Sequence, residues 1–472
     1  MDEETRPDRA SESLDVLVVG AGLSGLICAT ELQRCGLRLA VLEARERWGG
    51  RMLGGSSPAG IRVDLGGQWA GATHHRLLAL IDACGLQRYP THYDGDGVLI
   101  WNGGFHRAGV EPDFNASLLF LRPAELGLPA AELADAQRVA ERFQRLVDQV
   151  PAAAPWQAAD ADALDRLSVS HWLDRQGAGA LARYPLAWLG RLGGSGGFEP
   201  HESSILHLAW TQAVAPQNAT PEAWLVEGGI AQVAERLAAD LAGRILLRSP
   251  VRAIHQNAGG VTVTLADGTE RHSAAVVVAI PPPLRLAIDY SPALPPQWRG
   301  LLQRSPMGSM VKVLALYRRP FWREQGLNGL GIGNLSTLEL TVDSSPPDGP
   351  GILAGFIAGE RAGRWQHLSE RQRRQAVLAD LQAWWGDDAA EPLDLVLHNW
   401  NAEPWSGGAF TSFLNPGAWT TYGPIWQAPQ GRLVWAGTES ASRWPGYFEG
   451  AIEAGLAAAD QVTALLGGSR SC

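Results

Sequence analysis

The sequence predicts an α/β protein in which a Rossmann-like dinucleotide-binding domain is interleaved with a second domain of mixed β-sheet and helices. Two observations predict this class. A strand, a glycine-rich turn, a helix and a second strand follow one another over residues 14–43, and buried strands of the same β-branched kind recur at 275–280 and 432–436. Two long insertions separate these pieces, so both domains are predicted to be discontinuous in sequence.

The predicted division assigns residues 14–85, 221–285 and 400–472 to the dinucleotide-binding domain. Residues 86–220 and 286–399 form the second, substrate-binding domain, and a ligand is expected in the cleft between the two. Residues 1–13 are polar and acidic, without the apolar core of a signal peptide, and we expect them to be disordered.

The turn after the first predicted strand is the strongest functional signal. Gly20, Gly22 and Gly25 fit G-x-G-x-x-G at the start of a predicted helix, and the next strand ends on Glu43, about twenty residues later. The glycines admit a pyrophosphate against the backbone, the helix N-terminus offers it N–H groups, and the carboxylate accepts hydrogen bonds from a ribose. The spacing favours dinucleotide binding over the alternative of a glycine turn that only packs a helix.

A second glycine pair follows at once, in the run Ala44-Arg45-Glu46-Arg47-Trp48-Gly49-Gly50-Arg51. Glycines beside an arginine suit another close approach to phosphate, because a guanidinium binds phosphate through two parallel hydrogen bonds. This extended signature resembles the FAD-binding start of the flavin-containing amine oxidase family. The resemblance runs over nearly the whole chain and implies a soluble, bacterial-like member of the monoamine oxidase type.

The remaining elements follow from hydrophobic periodicity and turn residues. Helices are predicted over 73–84, 130–150, 168–192 and 451–466, with a further helix that starts at Ser369, where Gln372 completes a capping box. Strands are predicted over 61–69, 89–105 as a hairpin, 245–265, 275–280, 309–317, 352–357, 393–400 and 432–436.

Composition excludes several other classes of function. The formal net charge is −10, so nucleic acid and anionic membrane surfaces are not expected partners. The longest apolar runs are too short to cross a bilayer, and the four cysteines show no metal-ligand spacing. We therefore expect a cytoplasmic protein without a metal site, and the sequence leaves a homodimer open.

Lys312 is the one lysine among 39 basic residues, and it lies in the otherwise apolar strand predicted over 309–317. A lysine at a strand edge is the alternative, but the apolar flanks favour a buried functional amine with a lowered pKa. The segment 306–312 is similar to the monoamine oxidase segment whose lysine holds a water against the reactive nitrogen of the flavin.

Two further stretches carry the resemblance. In Trp405-Ser406-Gly407-Gly408-Ala409-Phe410-Thr411, Ala409 stands where membrane-bound monoamine oxidases have the cysteine that bonds the flavin, which implies noncovalent FAD. The second stretch is Gly437-Thr438-Glu439 followed by 444–451. By resemblance, Phe410 and Tyr447 are the two rings of an aromatic cage that orients the amine, and with Lys312 they are the expected catalytic residues.

The resemblance also implies contact residues. For FAD these are Gly20, Gly22, Leu23, Ser24, Gly25, Glu43, Ala44, Arg45, Gly50, Arg51, Gly67, Gln68, Trp69, Val251, Trp405, Gly437, Thr438, Glu439, Tyr447, Phe448 and Ala451. For the substrate pocket they are Trp69, Leu206, His207, Trp210, Phe410 and Tyr447. His207 fits a helix histidine with satisfied hydrogen bonds equally well.

The expected function is oxidation of a small aromatic or cyclic amine by FAD, giving an imine and then a carbonyl compound, with O2 reduced to H2O2. The Gly-Pro-Met-Arg turn by which L-amino-acid oxidases bind a carboxylate is absent from the sequence, which favours simple amines. Two alternatives stay open. One is a flavin desaturase or dehydrogenase with another electron acceptor, and the other is a non-catalytic binding protein that uses the same fold.

Overall fold

The computed structural model describes residues 14–111, 117–194, 196–217 and 220–467. The disorder expected for residues 1–13 lies outside these ranges. The strands are β1 (Leu14–Val19), β2 (Leu39–Leu42), β3 (Gly54–Ser56), β4 (Arg62–Asp64), β5 (Arg88–Pro90), β6 (Asp96–Trp101), β7 (Gly104–Gly109), β8 (Trp224–Val226), β9 (Ile245–Leu246), β10 (Val251–Asn257), β11 (Gly260–Leu265), β12 (Glu270–Val278), β13 (Asp289–Ser291), β14 (Met310–Tyr317), β15 (Leu327–Gly333), β16 (Leu340–Asp343), β17 (Gly351–Ala358), β18 (Asp394–Asn399) and β19 (Leu433–Trp435).

The α-helices lie between these strands. They are α1 (Leu23–Arg34), α2 (His75–Ala83), α3 (Ala130–Gln149), α4 (Ala161–Arg166), α5 (Val169–Arg175), α6 (Ala180–Arg191), α7 (Ile205–Val214), α8 (Gln232–Asp240), α9 (Pro282–Arg285), α10 (Pro296–Gln303), α11 (Phe321–Glu324), α12 (Gly359–Gln366), α13 (Glu370–Trp385), α14 (Ala418–Tyr422) and α15 (Phe448–Leu465). The predicted capping box of Ser369 and Gln372 is present at the start of α13.

The first sheet has the order β13-β10-β11-β12-β1-β2-β9. β11 pairs with the first residues of β12, 270–273, and β19 pairs with its last residues, 276–278. β1 runs parallel to both β12 and β2, and β19 runs parallel to β12. Parallel strands end at one edge of a sheet, so the turns after β1, β2, β12 and β19 meet there. The α/β fold class is thus confirmed, and this edge becomes the position of the site.

The second sheet has the order β18-β14-β17-β16-β15-β6-β7, with one parallel pair, β15 and β6. β14 pairs with β17 and β18 on its two sides, so it lies inside the sheet and its lysine is not on an edge strand. Helix α13 packs on one face of this sheet, and helices α3 to α7 pack on the other.

Two strand pairings cross the predicted division of the chain, and one of them joins β5 to β8. β13 pairs with β10, so the first sheet extends past residue 285 into the segment assigned to the second domain. The sequence also missed β15, because its glycines resemble a loop. A Cβ at Gly331 would lie 2.8 Å from the Trp384 ring, so the close packing of α13 requires a glycine in this strand.

Candidate active site

A cleft of about 160 Å³ lies at the edge where β1, β2, β12 and β19 end. Helices α1 and α15 both begin in this cleft. Their N-cap residues, Gly22 and Tyr447, have no side-chain cap, so backbone N–H groups of both first turns are left for a ligand. Two uncapped helix N-termini at one cleft favour an anionic ligand such as a pyrophosphate.

Part of the cleft surface is formed by the backbone of glycine residues. Gly22 and Gly50 approach each other so closely that a Cβ at Gly50 would lie 3.1 Å from the Gly22 Cα. A Cβ at Gly22 would meet no protein atom nearer than 3.9 Å, so protein packing does not require a glycine there and the space is left for a ligand. Gly25 differs, because a Cβ there would lie 2.0 Å from the Gly20 carbonyl oxygen. Close packing of α1 on β1 therefore requires a glycine at this position, and its contact with the cofactor stays a prediction.

Glu43 is held at the end of β2 with both carboxylate oxygens in use. Oε2 accepts a hydrogen bond from the Ala21 N–H at 2.8 Å, and Oε1 accepts one from the Arg45 N–H at 2.9 Å. The side chain is buried, and it lines the cleft. Each carboxylate oxygen can accept a further hydrogen bond, so the group suits the ribose hydroxyls of a dinucleotide.

Two arginines predicted as cofactor contacts, Arg45 and Arg51, bond to protein groups. Arg45 Nη2 donates to Ser406 Oγ at 2.8 Å. Arg51 Nη1 donates to the Phe410 carbonyl oxygen at 2.7 Å and to Glu439 Oε1 at 2.6 Å. Both side chains line the cleft, but their first role is to join distant segments of the chain around it.

The segment 437–447 fixes the start of α15. The Gly437 N–H donates to Ser24 Oγ, and Thr438 Oγ1 donates to the Tyr447 carbonyl oxygen and accepts from the Gly446 N–H. Burial alone would raise the pKa of Glu439, but the Arg51 guanidinium holds that pKa below the usual carboxyl value. Leu23, Ala44, Val251, Trp405, Phe448 and Ala451 also line the cleft, as expected.

A larger cavity of about 410 Å³ adjoins the cleft. The two share five lining residues, which are Arg51, Phe410, Gly446, Tyr447 and Phe448. Its other walls are mainly apolar and aromatic, formed by Tyr93, Phe120, Trp188, Leu330, Leu340, Phe356 and Trp400. Gly67, Gln68 and Trp69, which were predicted as cofactor contacts, line this cavity and not the cleft.

Lys312 extends from β14 to the wall of this cavity and is buried, with 2 % of its surface exposed. Nζ donates to the Gly66 carbonyl oxygen at 2.6 Å and lies 5.8 Å from the centre of the Trp69 ring. Burial lowers the pKa of Lys312 to about 7, against the opposing attraction of Asp64. Burial raises the pKa of Asp64 to about 6 in turn, so the pair titrates near neutral pH.

Phe410 and Tyr447 both line the cavity and the cleft. Phe410 packs edge-on against Phe356 at 5.5 Å between ring centroids. Tyr447 contacts His74 and Trp444 at 5.4 Å and 5.1 Å, and its hydroxyl accepts a hydrogen bond from Gln217 Nε2 at 3.1 Å. Each ring is supported by other aromatic side chains and faces the space between cleft and cavity, as a substrate-orienting pair requires.

Three of the predicted substrate residues lie elsewhere. Leu206 is fully buried in the core around α7, and neither His207 nor Trp210 lines the large cavity. His207 Nδ1 accepts a hydrogen bond from Trp419 Nε1 at 3.1 Å, and Trp210 Nε1 donates to the Ala152 carbonyl oxygen. None of the three α7 residues predicted as substrate contacts lines the large cavity in this structure, and the hydrogen bond of His207 fits the alternative of a satisfied helix histidine.

Sequence reasoning missed several residues of the cavity wall, among them Tyr93, Gln217, Glu222 and Phe356. Among the described residues that line the cavity, Glu222 is the only one with an acidic side chain. These residues belong to separate segments that only the tertiary fold brings together. None of them sits in a motif or a periodic pattern that signals a site.

The uncapped helices, the bare glycine backbone and the carboxylate of Glu43 fit FAD, with its pyrophosphate on α1 and a ribose on Glu43. The Ala409 methyl group offers no nucleophile for a covalent bond to the cofactor, so FAD is held noncovalently. A dinucleotide cleft that adjoins an aromatic cavity is the arrangement expected of a flavin-dependent oxidoreductase.

The chain belongs to the flavin-containing amine oxidoreductase family, whose model matches residues 23–463. An L-amino acid dehydrogenase of Synechocystis sp. is 40 % identical over 97 % of this chain and 96 % of its own length. A Mycobacterium tuberculosis protein that carries the name flavin-containing monoamine oxidase is 38 % identical over 96 % and 97 % of the two chains. The fold matches wild-type putrescine oxidase bound to putrescine with a TM-score of 0.88, at 30 % identity over 96 % of this chain and 99 % of that one.

The protein is thus an FAD-dependent amine oxidase, as the sequence predicts. Within the described ranges, no helix is both long and apolar enough to cross a membrane.

Proposed function

We propose that this enzyme oxidises a small amine of aromatic or cyclic character to an imine, which water hydrolyses to a carbonyl compound, with O2 reduced to H2O2. FAD, when bound, supplies the two-electron oxidation of the C–N bond. One observation carries the proposal: the aromatic cavity meets the dinucleotide cleft at Phe410 and Tyr447, so a substrate held there lies next to the cofactor.

Phe410 and Tyr447 orient the amine in this scheme. Rings at the junction of cleft and cavity restrict an incoming chain to the path between them and present their electron-rich faces to its nitrogen. Because both rings are supported from behind by other aromatics, the path keeps its direction without help from the substrate.

The cavity favours the neutral form of the reacting nitrogen. An ammonium group that enters an apolar pocket loses its hydration, while a neutral amine loses much less. Lys312 does not oppose this, because at pH 8 its amine is mostly neutral with a pKa of about 7. The Nζ atom makes one hydrogen bond, to the Gly66 carbonyl oxygen. Its other hydrogen-bonding positions are available on the cavity side, where they can hold a water or a polar group of the substrate.

The test is anaerobic mixing of the purified holoenzyme with benzylamine, cyclohexylamine and linear alkylamines while the flavin absorbance is followed. We expect rapid bleaching by the cyclic and aromatic members, and peroxide release when air is admitted. Bleaching without peroxide would support the desaturase or dehydrogenase alternative. A flavin that no amine reduces would support the binding-protein alternative.

A second candidate substrate class is L-amino acids, because a dehydrogenase of such substrates is 40 % identical to this chain. The cavity argues against it. Its two cations among the described residues are Arg51, which is paired with Glu439, and Lys312, which is largely neutral at pH 8. Neither offers a free charge to a carboxylate.

The two classes separate with a matched pair of substrates. L-phenylalanine and 2-phenylethylamine share a ring and an ethyl spacer and differ only in the carboxylate. We expect 2-phenylethylamine to reduce the flavin faster, and a preference for L-phenylalanine would assign the enzyme to amino acids. The cytoplasmic location and the homodimer remain predictions from sequence, and size-exclusion chromatography with light scattering tests the second.

A further inference from the structure

Glu222 stands out among the groups that the proposed reaction does not use. It precedes β8, and its backbone is fixed, since its carbonyl oxygen accepts hydrogen bonds from Thr91 Oγ1 at 2.7 Å and from the Tyr93 hydroxyl at 3.4 Å. Its side chain is half-buried and lines the large cavity. These hydrogen bonds fix the backbone that carries the carboxylate.

The carboxylate lies close to the aromatic cage. Burial, and after it the negative charge of Glu222, raise the pKa of both Tyr93 and Tyr447, two phenols of the same cavity. Tyr447 also lines the cleft, so the acid shares a space with the path of the amine.

No cation of the described chain acts on this carboxylate. Burial raises the pKa of Glu222 to about 7, and the only opposing influence is its own backbone N–H. The cavity's two cations are engaged, Arg51 with Glu439 and Lys312 with the Gly66 carbonyl oxygen. Desolvation makes a carboxylate without a counter-ion costly, so an acid of this kind in a cavity is a candidate to bind a ligand that supplies the missing charge.

We propose that Glu222 is a specificity-determining residue that binds a second, positively charged nitrogen of the substrate. The inference rests on the proposed function and narrows its substrate class to amines that carry another ammonium or guanidinium group, with diamines as the simplest case. The neutral nitrogen reacts between Phe410 and Tyr447, and the charged one pairs with the carboxylate through a charge-assisted hydrogen bond.

The test compares two nearly isosteric ligands, 1,4-bis(aminomethyl)benzene and 4-ethylbenzylamine, which differ by one ammonium group. Their dissociation constants are measured at pH 8 by calorimetry on holoenzyme whose flavin has been reduced with dithionite under anaerobic conditions, so that the ligands are not oxidised, for the wild type, Glu222→Gln and Glu227→Gln. Glu227 is exposed at the end of β8 and serves as the matched control. Thermal unfolding of each variant checks that the fold is retained.

We expect the wild type and Glu227→Gln to prefer the diamine by about ten- to a hundredfold, which is the usual contribution of one charge-assisted hydrogen bond. Glu222→Gln should bind the two ligands equally. A preference that is absent from the wild type, or that survives in Glu222→Gln, overturns the proposal. An equal loss of affinity for both ligands would place Glu222 at the reacting nitrogen and also overturns it. Because the readout is binding, it stays informative even if no amine reduces the flavin.

Discussion

Replacement of Lys312 by Met separates the function of this residue from its effect on stability. Met has a similar length and no charge, so Lys312→Met removes the amine from the cavity wall and leaves β14 intact. Where a buried ion pair is broken, the usual loss is about 3–5 kcal/mol of stability. We expect a different outcome here, because burial lowers the pKa of this lysine from 10.5 to about 7.

The magnitude follows from linkage. Between pH 7 and pH 10.5 the unfolded chain binds a proton at this lysine and the folded chain does not, so folding is penalised and the penalty falls as pH rises. At about 1.4 kcal/mol per pKa unit, the penalty is on the order of 3 kcal/mol at pH 8 and on the order of 1 kcal/mol at pH 10. The variant escapes this penalty but leaves the Gly66 carbonyl oxygen without its donor, which costs about 1–3 kcal/mol.

Lys312→Met should therefore be as stable as the wild type at pH 8, or more stable by up to about 2 kcal/mol. The difference should move against the variant by about 2 kcal/mol between pH 8 and pH 10. Urea titrations with saturating FAD, followed by tryptophan fluorescence, measure both quantities. Lys312→Gln, which keeps a donor for Gly66, is the control.

Flavin reduction by amine, or flavin reoxidation by O2, should slow in Lys312→Met while FAD stays bound. A loss of stability greater than about 2 kcal/mol at pH 8 would mean that the amine is a charged partner of Asp64 in the folded protein. Wild-type rates for both half-reactions would remove Lys312 from the mechanism.

The remaining predictions concern the cofactor and the cavity wall. Acid precipitation should leave yellow FAD in the supernatant, because Ala409 cannot hold it covalently, and a yellow pellet would contradict this. Gly22→Ala should weaken FAD binding about tenfold or more with little change in apoprotein stability, whereas Gly25→Ala should impair folding, as fluorescence titration and thermal melts would reveal. Tyr447→Ala should raise the KM for amine about three- to tenfold and Tyr447→Phe much less, which steady-state kinetics would test. His207→Leu should lower stability by about 1–3 kcal/mol, by leaving the Trp419 N–H unpaired, without changing the kinetic constants for amine.

The features that the sequence predicts well are those formed by residues close together in the chain. The glycine motif, Glu43 and the capping box at Ser369 form within a few turns of chain, and the structure has each in its expected element. Lys312 was found for another reason, because a single lysine in an apolar strand is a local anomaly. In each case the evidence lies in one contiguous stretch.

The parts that sequence could not predict are assembled from distant segments. Tyr93, Gln217 and Glu222 meet on one wall although their sequence neighbours carry no motif, so only the packing of the two sheets joins them. His207 shows the reverse case. The family resemblance implies a substrate contact for this residue, but its hydrogen bond with Trp419 satisfies it within the core.

Arg51 shows how the two parts of the site depend on each other. Its sequence context predicts phosphate binding, yet its guanidinium bonds to the Phe410 carbonyl oxygen and to Glu439, whose segment leads into Tyr447. Thr411, next to Phe410, also donates to Glu439. One ion pair, whose carboxylate is buried, thus connects the segment after the glycine motif to the segments that carry both rings. The ion pair of Arg51 and Glu439 therefore fixes the position of the cofactor cleft relative to the substrate path. A change at Arg51 would disturb the aromatic cage as well as the cleft.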